Sequence, residues 1–94
     1  MNKSDLVDAL ANSTDMTKAD AARAIDALFA PAGGIIAVAL KERKRVQITG
    51  FGTFESKYRK ARQGRNPRTG ETIQIRATFT PAFRAGKGLK DAIQ

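Results

Sequence analysis

The sequence predicts an α+β fold: helices first, then a small antiparallel sheet extended into a long basic hairpin arm. Three observations carry this. Apolar residues recur at helical spacing through the first 40 residues, then alternate at strand spacing from Val46. Net charge changes sign between the two regions. At 94 residues the chain is one small domain, with a core that is marginal without staples or a partner. The expected division is a helical part over 1–45, sheet and arm over 46–81 with the arm at about 57–76, and a C-terminal helix over 82–94.

Asn2 can cap a first helix, with Asp5 favoured at its positive dipole end. Leu6, Val7 and Leu10 give that helix a narrow apolar stripe, and Asn12-Ser13-Thr14 break the pattern. Thr17 with Asp20 three residues on opens a second helix, whose inward face holds Ala21, Ile25, Leu28 and Phe29. Pro31-Ala32-Gly33-Gly34 should interrupt it, because proline removes a donor and clashes with the preceding turn. Ile35 to Leu40 then reads as a kinked continuation. The basic segment Lys41 to Arg45 suits a helix C-terminus.

From Val46 the period is that of a strand, and Gly50-Phe51-Gly52 suggests a turn or bulge aiming an aromatic inward. Between Lys57 and Arg68 neither face could enter a core: Lys57 and Arg59 point one way, Lys60 and Arg62 the other. Asn66-Pro67-Arg68-Thr69-Gly70 is a strong turn. Ile73, Ile75, Ala77 and Phe79 restore the alternation on a returning strand. The sum is a projecting two-stranded arm, since an isolated ribbon is barely stable in water. Pro81 should end the strand, leaving Arg84 to Ile93 as a short basic helix.

Charge narrows the function. The chain carries 17 Lys and Arg against 9 acidic residues, for a net charge of +8. Residues 1–40 hold three bases against five acids, or −2, while residues 41–94 hold 14 against four, or +10. Segregation of sign favours a polyanion, chiefly nucleic acid, with anionic membrane surface as the other candidate. The arm lacks the apolar face that a membrane-surface helix needs. With no Cys and no His, zinc hydrolase, Ser-His and Cys-protease readings fail, and no cofactor or metal is expected. The most apolar stretch, Ala30 to Leu40, is too short to span a bilayer and is broken by Pro31, Gly33 and Gly34. The N-terminus enters a helical pattern directly, so a cytosolic protein is expected.

Three constellations could carry function. The basic hairpin combines Lys57, Arg59, Lys60, Arg62, Arg65, Arg68 and Arg76 with Pro67 at its tip. A two-stranded ribbon fits a nucleic-acid groove, and Arg side chains reach the phosphates of its walls. Arg also reads minor-groove width, and an exposed Pro can wedge between base pairs and kink the duplex. The plain alternative is a solvated charged hairpin. Phe51, Phe54, Phe79 and Phe83 could stack on bases, but core packing is the preferred reading. Gly86-Lys87-Gly88 lacks the spacing of a phosphate loop. Lys87 and Lys90, with Lys3, are better read as contacts to DNA backbone from the body, or as solvated cations.

The stretch Gly50-Phe51-Gly52-Thr53-Phe54, the run Arg62-Gln63-Gly64-Arg65-Asn66-Pro67-Arg68-Thr69-Gly70, and Pro81-Ala82-Phe83 through Gly86-Lys87 to Leu89-Lys90-Asp91-Ala92 closely resemble the bacterial histone-like HU and integration host factor family. Met1-Asn2-Lys3, Leu6 and Lys18 fit as well, so the resemblance covers essentially the whole chain. It implies an intertwined dimer with a helical dimerisation body and two ribbon arms that embrace the DNA minor groove. By motif position the arm cations are Arg59, Arg62 and Arg65. Pro67 is the intercalating residue, flanked by Asn66 and Arg68, and Lys3, Lys87 and Lys90 meet the flanking backbone. Phe51, Phe54 and Phe83 match packed aromatics of the dimer core. Two departures stand out: Pro31 to Gly34 looks like a four-residue insertion in the second helix, and Lys41 to Arg45 fills a link where the family usually has Gly and an acidic residue.

The expectation is therefore a non-enzymatic, histone-like nucleoid protein of the cytoplasm. It would act as a homodimer that bends double-stranded DNA with little sequence preference. Binding should be steeply salt-dependent. Each kink costs a few kcal/mol of unstacking, a figure characteristic of this architectural class itself, so bent, nicked or gapped DNA should bind better. The rivals are a sequence-selective bender of the integration-host-factor kind, as half of a heterodimer, and an RNA-binding protein. RNA is also a secondary ligand of the main reading.

Overall fold

Asn2 opens the first helix with a reciprocal cap. Its side chain accepts the Asp5 amide at 2.9 Å, and the Asp5 carboxylate accepts the Asn2 amide at 3.0 Å. The computed structural model describes residues 1–94. The elements are α1 (Lys3–Thr14), α2 (Lys18–Phe29), α3 (Ile35–Lys41), β1 (Val46–Ile48), β2 (Gly52–Arg59), β3 (Arg62–Arg65), β4 (Thr72–Ile75), β5 (Thr78–Ala85) and α4 (Lys87–Ala92). The fold is α+β, and its sheets are antiparallel. No helix is long and apolar enough to cross a membrane. The chain forms two compact units, residues 1–42 and 43–94.

In the first unit, the Thr17 hydroxyl caps α2 by accepting the Asp20 amide at 3.1 Å. The expected kinked continuation beyond Phe29 is not formed. The helical region is disfavoured for the residue before a proline, and Pro31 imposes that restriction on Ala30, which takes φ −57°, ψ 133°. Helix α2 therefore stops, residues 31–33 turn, and α3 restarts after Gly34 as a separate helix. Ala11, Ala21, Ile25 and Ile36 are the buried apolar residues of this unit. Leu6, Leu28, Phe29, Ile35 and Val38 stay exposed, so most of the apolar stripe is uncovered in a single chain.

In the second unit, β2 is the centre of a three-stranded sheet in the order β1-β2-β5. Cross-strand partners place Phe54 beside Phe83 and Tyr58 beside Phe79 on one face; Glu55, Lys57 and Arg59 project from the other. Phe83 is the hub of the aromatic face, its ring 4.8 Å from Phe54 and 5.8 Å from Phe51. That ring lies directly on Gly52, where a Cβ would meet it at 2.5 Å. Phe51, in the turn after Gly50, leans against the Phe83 ring and is 47% exposed in the single chain.

Two further boundaries differ from expectation. Pro81 does not end a strand but lies within β5, opposite Ser56. Since β5 is an edge, a residue without an N–H is tolerated there. Arg84 and Ala85 extend the same strand, so the C-terminal helix begins only at Lys87. The hairpin arm is also interrupted. Arg59 pairs Thr78 and Arg62 pairs Ile75, leaving Lys60, Ala61, Arg76 and Ala77 outside both ladders with the register unchanged. The outer piece, β3 with β4, is a separate two-stranded ribbon.

Candidate nucleic-acid interface

The tip of the outer ribbon is a turn held by its own side chains. Asn66 Oδ1 accepts the Arg68 amide at 2.9 Å, Thr69 Oγ1 accepts the Glu71 amide at 3.2 Å, and the Gly70 amide donates to Asn66 O at 2.7 Å. Gly70 closes the turn at φ +73°, a conformation that costs glycine little. Pro67 and Arg68 are exposed at its apex. Behind the tip, Ile75 lies across Gly64, so the ribbon's few apolar atoms cover its own backbone.

Five of the expected arm cations belong to strands or the tip: Lys57 and Arg59 to β2, Arg62 and Arg65 to β3, and Arg68 to the turn. Lys60 and Arg76 occupy the interruption between the ladders. All seven are exposed, and none forms an ion pair with a carboxylate. At the interruption, Arg59, Lys60, Arg62 and Arg76 border an open cleft of about 460 Å³ together with Ile75, Thr78 and Thr80. Like charges gathered without counter-charge repel one another, and the arrangement is relieved by a polyanion.

The body cations differ from one another. Lys3 is drawn to Asp26, with Nζ 2.5 Å from Oδ1. The other bases of α1 and α2 are likewise paired, Lys18 with Asp8 at 3.6 Å and Arg23 with Asp20. Lys87 and Lys90 are exposed on α4 and have no ion-pair partner. Two amides around the start of α4 bond to the preceding turn: Gly86 donates to Phe51 O at 2.8 Å and Leu89 to Gly50 O at 2.9 Å.

One charged row escaped the sequence reading. The Glu55 carboxylate is buried beneath two guanidiniums, with Arg84 Nη2 at 2.9 Å and Arg45 Nε at 3.7 Å. The row runs from Arg45, just before β1, across β2 to β5, with Glu55 on the face that also bears Lys57 and Arg59. The alternation of Thr53, Glu55, Lys57 and Arg59 along β2 sets Glu55 on the charged face but does not indicate its partners Arg84 and Arg45.

The family described as bacterial DNA-binding protein matches residues 1–94. The chain is 53% identical over 93 residues to DNA-binding protein HU-1 of Halalkalibacterium halodurans, covering 99% of each chain. It is 52% identical to DNA-binding protein HU of Streptococcus thermophilus, covering 99% of this chain and 98% of that protein. Among solved structures, it resembles Anabaena HU in a cocrystal with DNA, with a TM-score of 0.87 and 44% identity over 99% of this chain and 97% of that one.

Proposed function

Because the chain belongs to the bacterial DNA-binding protein family that includes HU, we propose that it is a histone-like nucleoid protein that binds and bends double-stranded DNA. The observation that carries this reading is the arm: seven exposed cations without carboxylate partners, ending in an exposed Pro67. Arg59, Arg62 and Arg65 follow the walls of the minor groove and neutralise phosphates, giving affinity with little sequence preference. Pro67 wedges between base pairs, with Asn66 and Arg68 beside it, and Lys3, Lys87 and Lys90 meet the flanking backbone. No chemical step is involved, and the protein acts in the cytoplasm, on the nucleoid.

The chain acts as a homodimer. Phe29 is 51% exposed and Ile35 60% exposed on the helices, while Phe51 in the turn before β2 and Phe83 on the sheet are uncovered. Burying such side chains contributes roughly 1.5–3 kcal/mol each, and a second copy presents the same surface. Residues 1–94 are one functional domain in that assembly.

Sedimentation together with titration of intact and centrally nicked duplexes tests the reading. A dimer that binds nicked DNA more tightly supports it, because part of the unstacking cost is already absent. A monomer, or equal affinity for the two duplexes, contradicts it. Stronger binding to RNA than to DNA would favour an RNA-binding role.

A further inference from the structure

Phe79 carries a guanidinium on its ring. Arg43 Cζ stands 3.5 Å from the ring centroid, while Tyr58, the register partner of Phe79, has its ring centroid 5.5 Å away. Arg43 occupies φ +64°, in the left-handed region that non-glycine residues seldom take. Tyr58 and Phe79 lie on the aromatic face of the sheet, opposite the face that bears Lys57 and Arg59. The Arg43 guanidinium is thus engaged by a ring behind the arm.

Its place along the ladder gives this contact a purpose. Strand β1 covers β2 only from Gly52 to Phe54. From Glu55 to Arg59 the ladder has β5 alone for support, and a two-stranded ribbon is marginal in water. Residues preceding β1 run antiparallel to β2, back toward the arm, as the Arg45–Glu55 pair shows. Arg43 extends that path and reaches the ring on β5 one residue inside the last ladder pair, Arg59 with Thr78.

We infer that Arg43, Phe79 and Tyr58 form a brace that stiffens the root of the arm, with Arg43 a positioning residue for DNA binding. Its effect on DNA rests on the function proposed above; the brace itself does not. An arm ordered at its root loses less conformational freedom when it closes on a duplex. Affinity therefore rises without any added phosphate contact.

The test uses the full chain with R43G, F79V, F79Y and the R43G/F79V double variant. Glycine takes a positive φ readily, so R43G keeps the turn while removing the guanidinium. Amide hydrogen exchange without DNA should quicken about tenfold at residues 57–59 and 78–80 in R43G and F79V, remain unchanged at the tip, and stay at the wild-type rate in F79Y. On duplex DNA, R43G and F79V should each weaken binding about three- to tenfold, with the double variant no worse than the weaker single. The salt slope should not change. Unchanged exchange in R43G overturns the brace. A salt slope reduced by about 0.9 with unchanged exchange would instead make Arg43 a direct phosphate contact. Failure of the wild-type chain to bind DNA would overturn the proposed function and leave the exchange result to decide the brace.

Discussion

Lys3 Nζ lies 2.5 Å from Asp26 Oδ1, tying the first turn of α1 to the last turn of α2. Both side chains are more than half exposed, so the pair contributes no more than about 1 kcal/mol to stability. Its larger consequence is electrostatic, since Asp26 competes with any phosphate for Lys3. Asp26→Asn should strengthen binding to a ~30-base-pair duplex about two- to threefold and steepen the salt slope by up to about 0.9. Thermal stability should change by no more than ~0.5 kcal/mol. Salt-dependent titrations and melting curves check both expectations.

Pro67 is exposed in a turn whose hydrogen bonds come from Asn66, Thr69 and Gly70. Pro67→Ala should therefore fold normally but lose the wedge. Affinity for intact duplex should fall about tenfold, and the advantage of nicked DNA should shrink. The salt slope should stay constant, because no cation is removed. Circularly permuted probes in a mobility-shift assay would show the lost bend.

Arg62 and Arg84 should separate binding from stability. Arg62→Ala removes an unpaired arm cation and should lower the salt slope by about 0.9 without altering the fold. Arg84→Ala removes the 2.9 Å partner of a buried carboxylate, leaving Glu55 with Arg45 at 3.7 Å. Stability should drop by about 1–2 kcal/mol. Urea unfolding of the two variants side by side distinguishes the roles.

Gly52 lies beneath the Phe83 ring, and a Cβ there would stand 2.5 Å from it. Gly52→Ala should displace Phe83, and through it the contacts with Phe54 and Phe51, costing about 1–3 kcal/mol. Denaturant unfolding measures the loss.

Local chemistry was legible in the sequence; long-range pairing was not. Asn2 with Asp5, Thr17 with Asp20 and the Asn66 to Gly70 turn are each decided by atoms a few residues apart, and their side-chain oxygens bond as their spacing requires. The break at Ala30 was misread as a kink, although the same local rule governs it: the residue before Pro31 leaves the helical region. Pro81 was misread because a proline's place in a sheet depends on whether its strand is an edge, which topology alone decides. Of the interface, the composition of the arm was legible and its interruption at Lys60 and Arg76 was not, because the alternation continues through the gap. Arg43 on Phe79, Glu55 beneath Arg84, and Lys3 on Asp26 join residues 36, 29 and 23 positions apart, and no periodicity announces such partners.

The central claim is that this arm grips and bends DNA, and end-label energy transfer on a ~30-base-pair duplex, intact and nicked, across a salt series tests it most directly. The expected result is a shortened end-to-end distance on binding, tighter binding to the nicked duplex, and a slope equal to about 0.9 for each neutralised phosphate. Salt-sensitive binding with unchanged end-to-end distance and no preference for the nick would contradict it, leaving Pro67 a turn residue on a plain polyanion binder.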